Sequence, residues 1–86
     1  MKLLFHHTFT KEYRKLGKST RVHVQEQLIR FENDPFDPIL NNHPLKGKHA
    51  GFRSINITGD IRAIYELIEN DISHFVALGS HSHLYH

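Results

Sequence analysis

The chain contains no cysteine, which excludes a disulfide framework and a thiolate zinc site and leaves ordinary packing to hold the domain together. That usage fits a reducing cytoplasm, the expected location. Long apolar runs are missing too: the longest, Phe75-Val76-Ala77-Leu78, falls far short of the roughly 18 residues of a membrane span, so no membrane association is expected. The apolar start Met1–Phe5 is broken by His6-His7-Thr8 before a secretory h-region forms. There is no glycine-rich phosphate loop, because neither Gly47 nor Gly51 leads into Lys-Ser/Thr and a helix. Neither charge sign dominates, with 11 basic and 9 acidic side chains giving +2 at neutral pH.

What the chain does have is histidine, nine of 86 residues, so its charge climbs steeply toward pH 6. With 38% hydrophobic and 23% charged residues it lies above the disorder range, and its length suits one domain spanning 1–86.

Leu3 to His7 reads as a first strand or the lead-in to a helix, with the strand favoured. Thr8 or Thr10 can N-cap a short helix over 11–16, and Gly17 sits where a C-cap glycine belongs. Ser19 offers a second N-cap; Val24, Leu28 and Phe31 then recur at helical spacing, with Val22 and Ile29 beside them, until Asn33-Asp34-Pro35 stops the pattern. Residues 34–51, rich in Pro, Asn and Gly, read mostly as loop, and a loop of that length in a compact domain tends to be functional. Strands follow over 52–57, 61–67 and 72–78, joined by tight turns at 58–60 and 69–71. The expected fold class is α+β: an N-terminal strand, an αα-hairpin, then a three-stranded antiparallel meander with the helices packed on one sheet face. Alternation puts Ile55, Ile57, Ile61, Ala63 and Tyr65 on the apolar face, and Ser54, Asn56, Asp60, Arg62 and Ile64 on the other.

Charge is unevenly spread. Residues 1–38 carry +2, residues 39–62 carry +3, and residues 63–86 carry −3. Lys46, Lys48, Arg53 and Arg62, with His43 and His49 among them, form a basic set bordering the polar sheet face, the footprint of a phosphate-rich partner; the plainer alternative is a set of solvated loop lysines. Histidine beside cations suits acid-base work on a phosphodiester, and RNA supplies its own nucleophile in the 2′-OH. His43, Asp60, His81, Arg53 and Arg62 can supply the base, the acid and the charge stabilisation if the fold assembles them. For His6, His7, His23 and His74, surface or packing roles are the simpler reading. Metal binding through His81-x-His83-x-x-His86 has weak support, because no regular structure aligns all three, so no metal site and no cofactor are expected. Ser80 reads as a cap for a last helical turn, not as a nucleophile.

The order of elements, with His43-Pro44-Leu45-Lys46-Gly47, Gly51-Phe52-Arg53-Ser54, Gly59-Asp60-x-Arg62-x-Ile64-Tyr65 and Gly79-Ser80-His81-Ser82-x-Leu84-Tyr85, resembles the YafQ branch of the RelE/ParE toxin superfamily. The resemblance spans nearly the whole chain and is most specific in its C-terminal half. It implies a type II toxin that enters the ribosomal A site and cuts mRNA without metal, held inactive by a cognate antitoxin. The family's motif histidine falls on His43, its aspartate on Asp60 and its late histidine on His81; its terminal aromatic, usually Phe, falls on Tyr85, which would orient or stack on a base. On this reading His81 and Asp60 handle proton transfer and His43 assists or stabilises charge. Arg53 and Arg62 bind the scissile phosphate, and Lys46 and Lys48 guide ribosomal RNA more loosely. One position departs: the best-known member of the branch has a catalytic histidine where this chain has Asn56, and Asn can hydrogen-bond but cannot exchange a proton near pH 7. His49 is a candidate substitute. The alternative reading is a non-catalytic ParE-like or decayed toxin that acts by binding gyrase or an antitoxin–operator complex.

Overall fold

The computed structural model describes residues 1–85. β1 (Lys2–Phe5) leads into α1 (His7–Lys15) and α2 (Lys18–Asn33); β2 (His43–Pro44), β3 (Arg53–Asn56), β4 (Ile61–Glu69) and β5 (Ile72–Ser80) follow, and α3 (His81–Leu84) closes the fold. The sheet order is β1-β5-β4-β3-β2, with β1 parallel to β5 and the other pairs antiparallel. The α+β class and the helical hairpin are as expected.

Three local details differ, each for a physical reason. α1 begins at His7 rather than after Thr10, because the His6 side chain itself serves as the cap, its Nδ1 accepting the Thr8 N–H at 3.1 Å. Gly17 does not end α1 in a left-handed turn; at φ −64 it is the N-cap of α2, and Ser19 lies inside the first turn. The 34–51 segment is not only loop. It contains 3-10 turns at Pro38–Leu40 and Gly47–His49 and adds β2 to the sheet edge, where Pro44 costs nothing because an edge strand needs no inward N–H from it. Gly47 at φ +65 permits the tight turn between β2 and β3.

The core lies between α2 and the sheet. Phe31 meets Tyr65 edge-on at 4.9 Å and Phe75 at 5.3 Å, and Phe9 closes on Phe75 at 5.7 Å. Val24 and Phe31 are fully buried as the spacing predicts, but Gln27, not Leu28, is the third buried residue of α2; its Nε2 donates to the Asn56 carbonyl at 2.9 Å. Val22 and Ile29 are exposed, at 44% and 59%. Across β4–β5 a register shift leaves Val76 unpaired between Ala77, opposite Ile64, and Phe75, opposite Tyr65. Ile64 and Ser54, assigned to the polar face, are both buried, so that face is closed over part of its area. Replacing Phe31 by Ala is expected to cost about 3–5 kcal/mol, since it empties a site touched by two other rings; the midpoint of urea unfolding checks this.

Candidate active site

The face of the sheet away from the helices carries a pocket of about 380 Å³ lined by Asn41, His43, Leu45, Ser54, Arg62, His81 and Tyr85. Its walls come from distant parts of the chain, and hydrogen bonds explain how each is placed. Asn42 holds the first wall: its Nδ2 donates to the Tyr65 hydroxyl at 2.7 Å and to the Pro35 carbonyl at 2.9 Å, while its Oδ1 accepts from Arg53 Nε at 2.8 Å. The neighbouring Asn41 takes a left-handed conformation, φ 48, which asparagine tolerates better than most residues. His43 then lies on β2 with Nδ1 at 2.8 Å from the Asn41 carbonyl. A carbonyl can only accept, so Nδ1 carries the proton and Nε2 of neutral His43 keeps a free lone pair.

The opposite wall forms at the β3–β4 turn and the end of β5. Thr58 Oγ1 accepts the Asp60 and Ile61 N–H groups, tightening the turn, and Arg62 folds back to donate to the Thr58 and Gly59 carbonyls at 2.9 and 3.0 Å. The His81 N–H donates to the Asp60 carbonyl at 3.0 Å, tying α3 to the same turn. Ser80 caps α3, as expected, by accepting the His83 N–H at 3.2 Å. Gly79 lets α3 pack close, since a Cβ there would stand 3.3 Å from the His83 ring. Tyr85 is held by its own N–H to the His81 carbonyl and by ring contacts to His81 at 4.7 Å and to His49, edge-on, at 5.7 Å.

Four of the residues singled out in the sequence therefore meet in one pocket: His43, Arg62, His81 and Tyr85. Asp60 adjoins it through its backbone, with an exposed side chain. Asn56 shares the pocket's sheet face, paired in register with Arg62, but does not line the pocket. Lys46 and Lys48 sit exposed around the 3-10 turn that follows β2. Arg53 is placed differently from the phosphate-binding role expected of it. Strand alternation puts it on the helix side with Ile55, where its Nε donates to Asn42 and its guanidinium lies 5.2 Å from the centroid of the Phe36 ring. Asn41, Leu45 and Ser54 are lining residues that the sequence reading did not select; for Ser54 the signal was its alternation with Ile55. Among the described residues no three His, Asp or Glu side chains form a group able to hold a metal ion; His86 of the His81-x-His83-x-x-His86 pattern lies outside them.

An α-helical hairpin on one face of a five-stranded sheet matches the fold of the YoeB/ParE and RelE toxins. A YoeB/ParE toxin from Agrobacterium tumefaciens superposes with a TM-score of 0.78 over 94% of this chain and 99% of its own, at 21% identity. A copper-bound mutant toxin from Helicobacter pylori gives 0.73 over 98% of both chains at 30% identity, and YafQ in the Escherichia coli DinJ–YafQ complex gives 0.69 over 99% and 98% at 21%. No curated protein matches by sequence. The family model for YafQ, the bacterial toxin of type II toxin-antitoxin systems, matches residues 1–86, and the chain belongs to that family.

Because Asn42 serves three partners, Asn42→Ala is expected to destabilise the fold by about 1–3 kcal/mol and to shift the His43 ring resonances. Denaturant melts with histidine NMR check both; an unchanged His43 would mean that Asn42 does not position that wall.

Proposed function

We propose that this toxin is a ribosome-dependent endoribonuclease that cleaves mRNA in the A site through attack by the ribose 2′-OH, acts in the cytoplasm, and is restrained by a cognate antitoxin. The observation that carries the reading is the convergence of two histidines and an arginine on one pocket. His43 Nε2, its lone pair kept free by the Nδ1 contact to the Asn41 carbonyl, takes the proton from the 2′-OH. The 2′ oxygen attacks phosphorus and the bond to the 5′ oxygen breaks; protonated His81 gives that oxygen its proton. The products are a 2′,3′-cyclic phosphate and a 5′-hydroxyl. Arg62, immobilised on the turn carbonyls, faces the extra negative charge of the phosphorane. Asp60 holds the start of α3, and with it His81, through its backbone carbonyl. Tyr85 offers a ring for base stacking. No step calls on a metal or a cofactor, because the nucleophile belongs to the substrate.

Here the roles of the histidines differ from the sequence expectation, with His43 rather than Asp60 as the base. Asn56 supplies no proton transfer, and His43 makes a substitute for the missing family histidine unnecessary. Lys46 and Lys48 extend the positive surface outward, where ribosomal RNA and the message would lie. Antitoxin control follows from family membership and from the toxin–antitoxin complex formed by the E. coli relative. A toxin acting on gyrase or only on its antitoxin and operator has no need of the His43, Arg62 and His81 arrangement.

Induced expression in a bacterial host should arrest growth and translation. His81→Ala should lower cleavage of ribosome-bound mRNA by about 10²–10⁴-fold, as expected for loss of a general acid. Mapping of 5′ ends should place the cuts inside codons. Equal toxicity of the two forms, or capture of gyrase with translating ribosomes untouched, would falsify the nuclease reading.

A further inference from the structure

Four buried side-chain polar atoms have no hydrogen-bond partner among the described residues: His49 Nε2, Ser54 Oγ, Asn56 Oδ1 and Tyr85 Oη. Buried groups of this kind are rare in native proteins, and each calls for an explanation. Their distribution is uneven. Ser54 and Tyr85 line the pocket, His49 packs edge-on against Tyr85, and Asn56 faces the same side of the sheet as Arg62. None belongs to the apolar core under the helices.

Ser54 is the sharpest case. It is 0% exposed, it sits in the middle of the sheet between His43 on β2 and Ile64 on β4, and its hydroxyl has no partner. The chemistry of the pocket is thereby divided. Its cationic and titratable groups, Arg62, His43 and His81, suit a phosphodiester; Ser54 and Tyr85 add hydroxyls that carry no charge and both donate and accept. Such groups bring no charge to offset a phosphate's, and as combined donors and acceptors they can bond the polar edge of a nucleobase, a choice that a ligand without a base separates from phosphate contact. The Ser54 hydroxyl is closed to water, so a nucleotide that bonds it must replace the atoms that cover it.

The geometry points to Ser54 as a specificity-determining residue: its hydroxyl, together with that of Tyr85, forms a floor that reads the base of the bound nucleotide while the charged groups hold its phosphate. This assignment rests on the ribonuclease reading and adds to it the element that makes the site discriminate between bases.

The test is an NMR-followed titration of the full chain with the four ribonucleoside 5′-monophosphates and with ribose 5-phosphate, which lacks a base. The wild type is expected to bind one nucleotide several-fold more tightly than the others and than ribose 5-phosphate. Ser54→Ala should lower that preference by roughly two- to ten-fold, the worth of one hydrogen bond, and weaken ribose 5-phosphate binding by less than it weakens binding of the preferred nucleotide. It should also raise Tm, because the variant removes a buried hydroxyl that nothing satisfies. Ser54→Cys, of similar size but a weak donor, should show the same loss of preference and guards against a packing artefact. Equal binding of all four nucleotides, an unaltered preference in Ser54→Ala, or a fall in its Tm would each overturn the assignment. The phosphate arm separates this from the ribonuclease reading. If Arg62→Ala weakens ribose 5-phosphate binding while bases are not distinguished, only the Ser54 assignment fails; if ribose 5-phosphate binds indifferently to Arg62→Ala, the ribonuclease site itself is wrong.

Discussion

The arrangement depends on one buried aromatic contact and the hydrogen bond that leaves it. Phe31 of α2 is set edge-on against Tyr65, which fixes the helical hairpin on the sheet. The Tyr65 hydroxyl escapes the core and accepts from Asn42, and the same amide takes up Arg53 and the Pro35 carbonyl. Through this bridge the packing of the core is transmitted to a segment that has few apolar residues of its own to bury. A buried phenol needs a partner in any case; here the partner lies in the very loop that brings Asn41 and His43 to the pocket.

A second constraint acts from the other end of the sheet. The β3–β4 turn satisfies itself with Thr58, leaves its carbonyls for Arg62, and presents the Asp60 carbonyl to the start of α3. Three catalytic candidates are thus organised by one turn, whose carbonyls also withdraw some of the freedom a surface arginine ordinarily has. A rim that is already ordered loses less entropy when it meets a charged ligand. The unpartnered buried hydroxyls of Ser54 and Tyr85 in the pocket lining are the opposite kind of feature, a local loss of stability beside an ordered rim.

Seven of the nine histidines have distinct surroundings among the described residues. His43 and His81 face the pocket, His49 braces Tyr85, and His83 packs near Gly79. His6 caps α1, His74 pairs with Glu66 at 3.1 Å, and His23 pairs with Glu26 on the surface of α2. The modest charge of the whole chain hides the +3 of residues 39–62, the segment that supplies most of the pocket's first wall and, in Arg62, its cation.

Much of this was legible beforehand because it depends on local rules. Apolar alternation marks β3 to β5, helical spacing marks α2, Pro35 ends it, and the four short motifs indicate the family and select His43, Arg62, His81 and Tyr85. What sequence could not decide was anything that depends on where a side chain is drawn by a distant partner. Arg53 and Arg62 look alike in the chain, yet Asn42 and Phe36 hold one on the helix side while the β3–β4 turn directs the other to the pocket. Gln27 is polar and nevertheless buried, because the Asn56 carbonyl receives it. Ser54 looks like an ordinary outward residue of a strand, and only the closing of Leu45, His81 and Tyr85 around that face turns its hydroxyl into part of a binding floor. Periodicity and motif spacing act through near neighbours in the chain; burial, partner and facing are set by contacts between residues far apart in it, and these exist only once the sheet has formed.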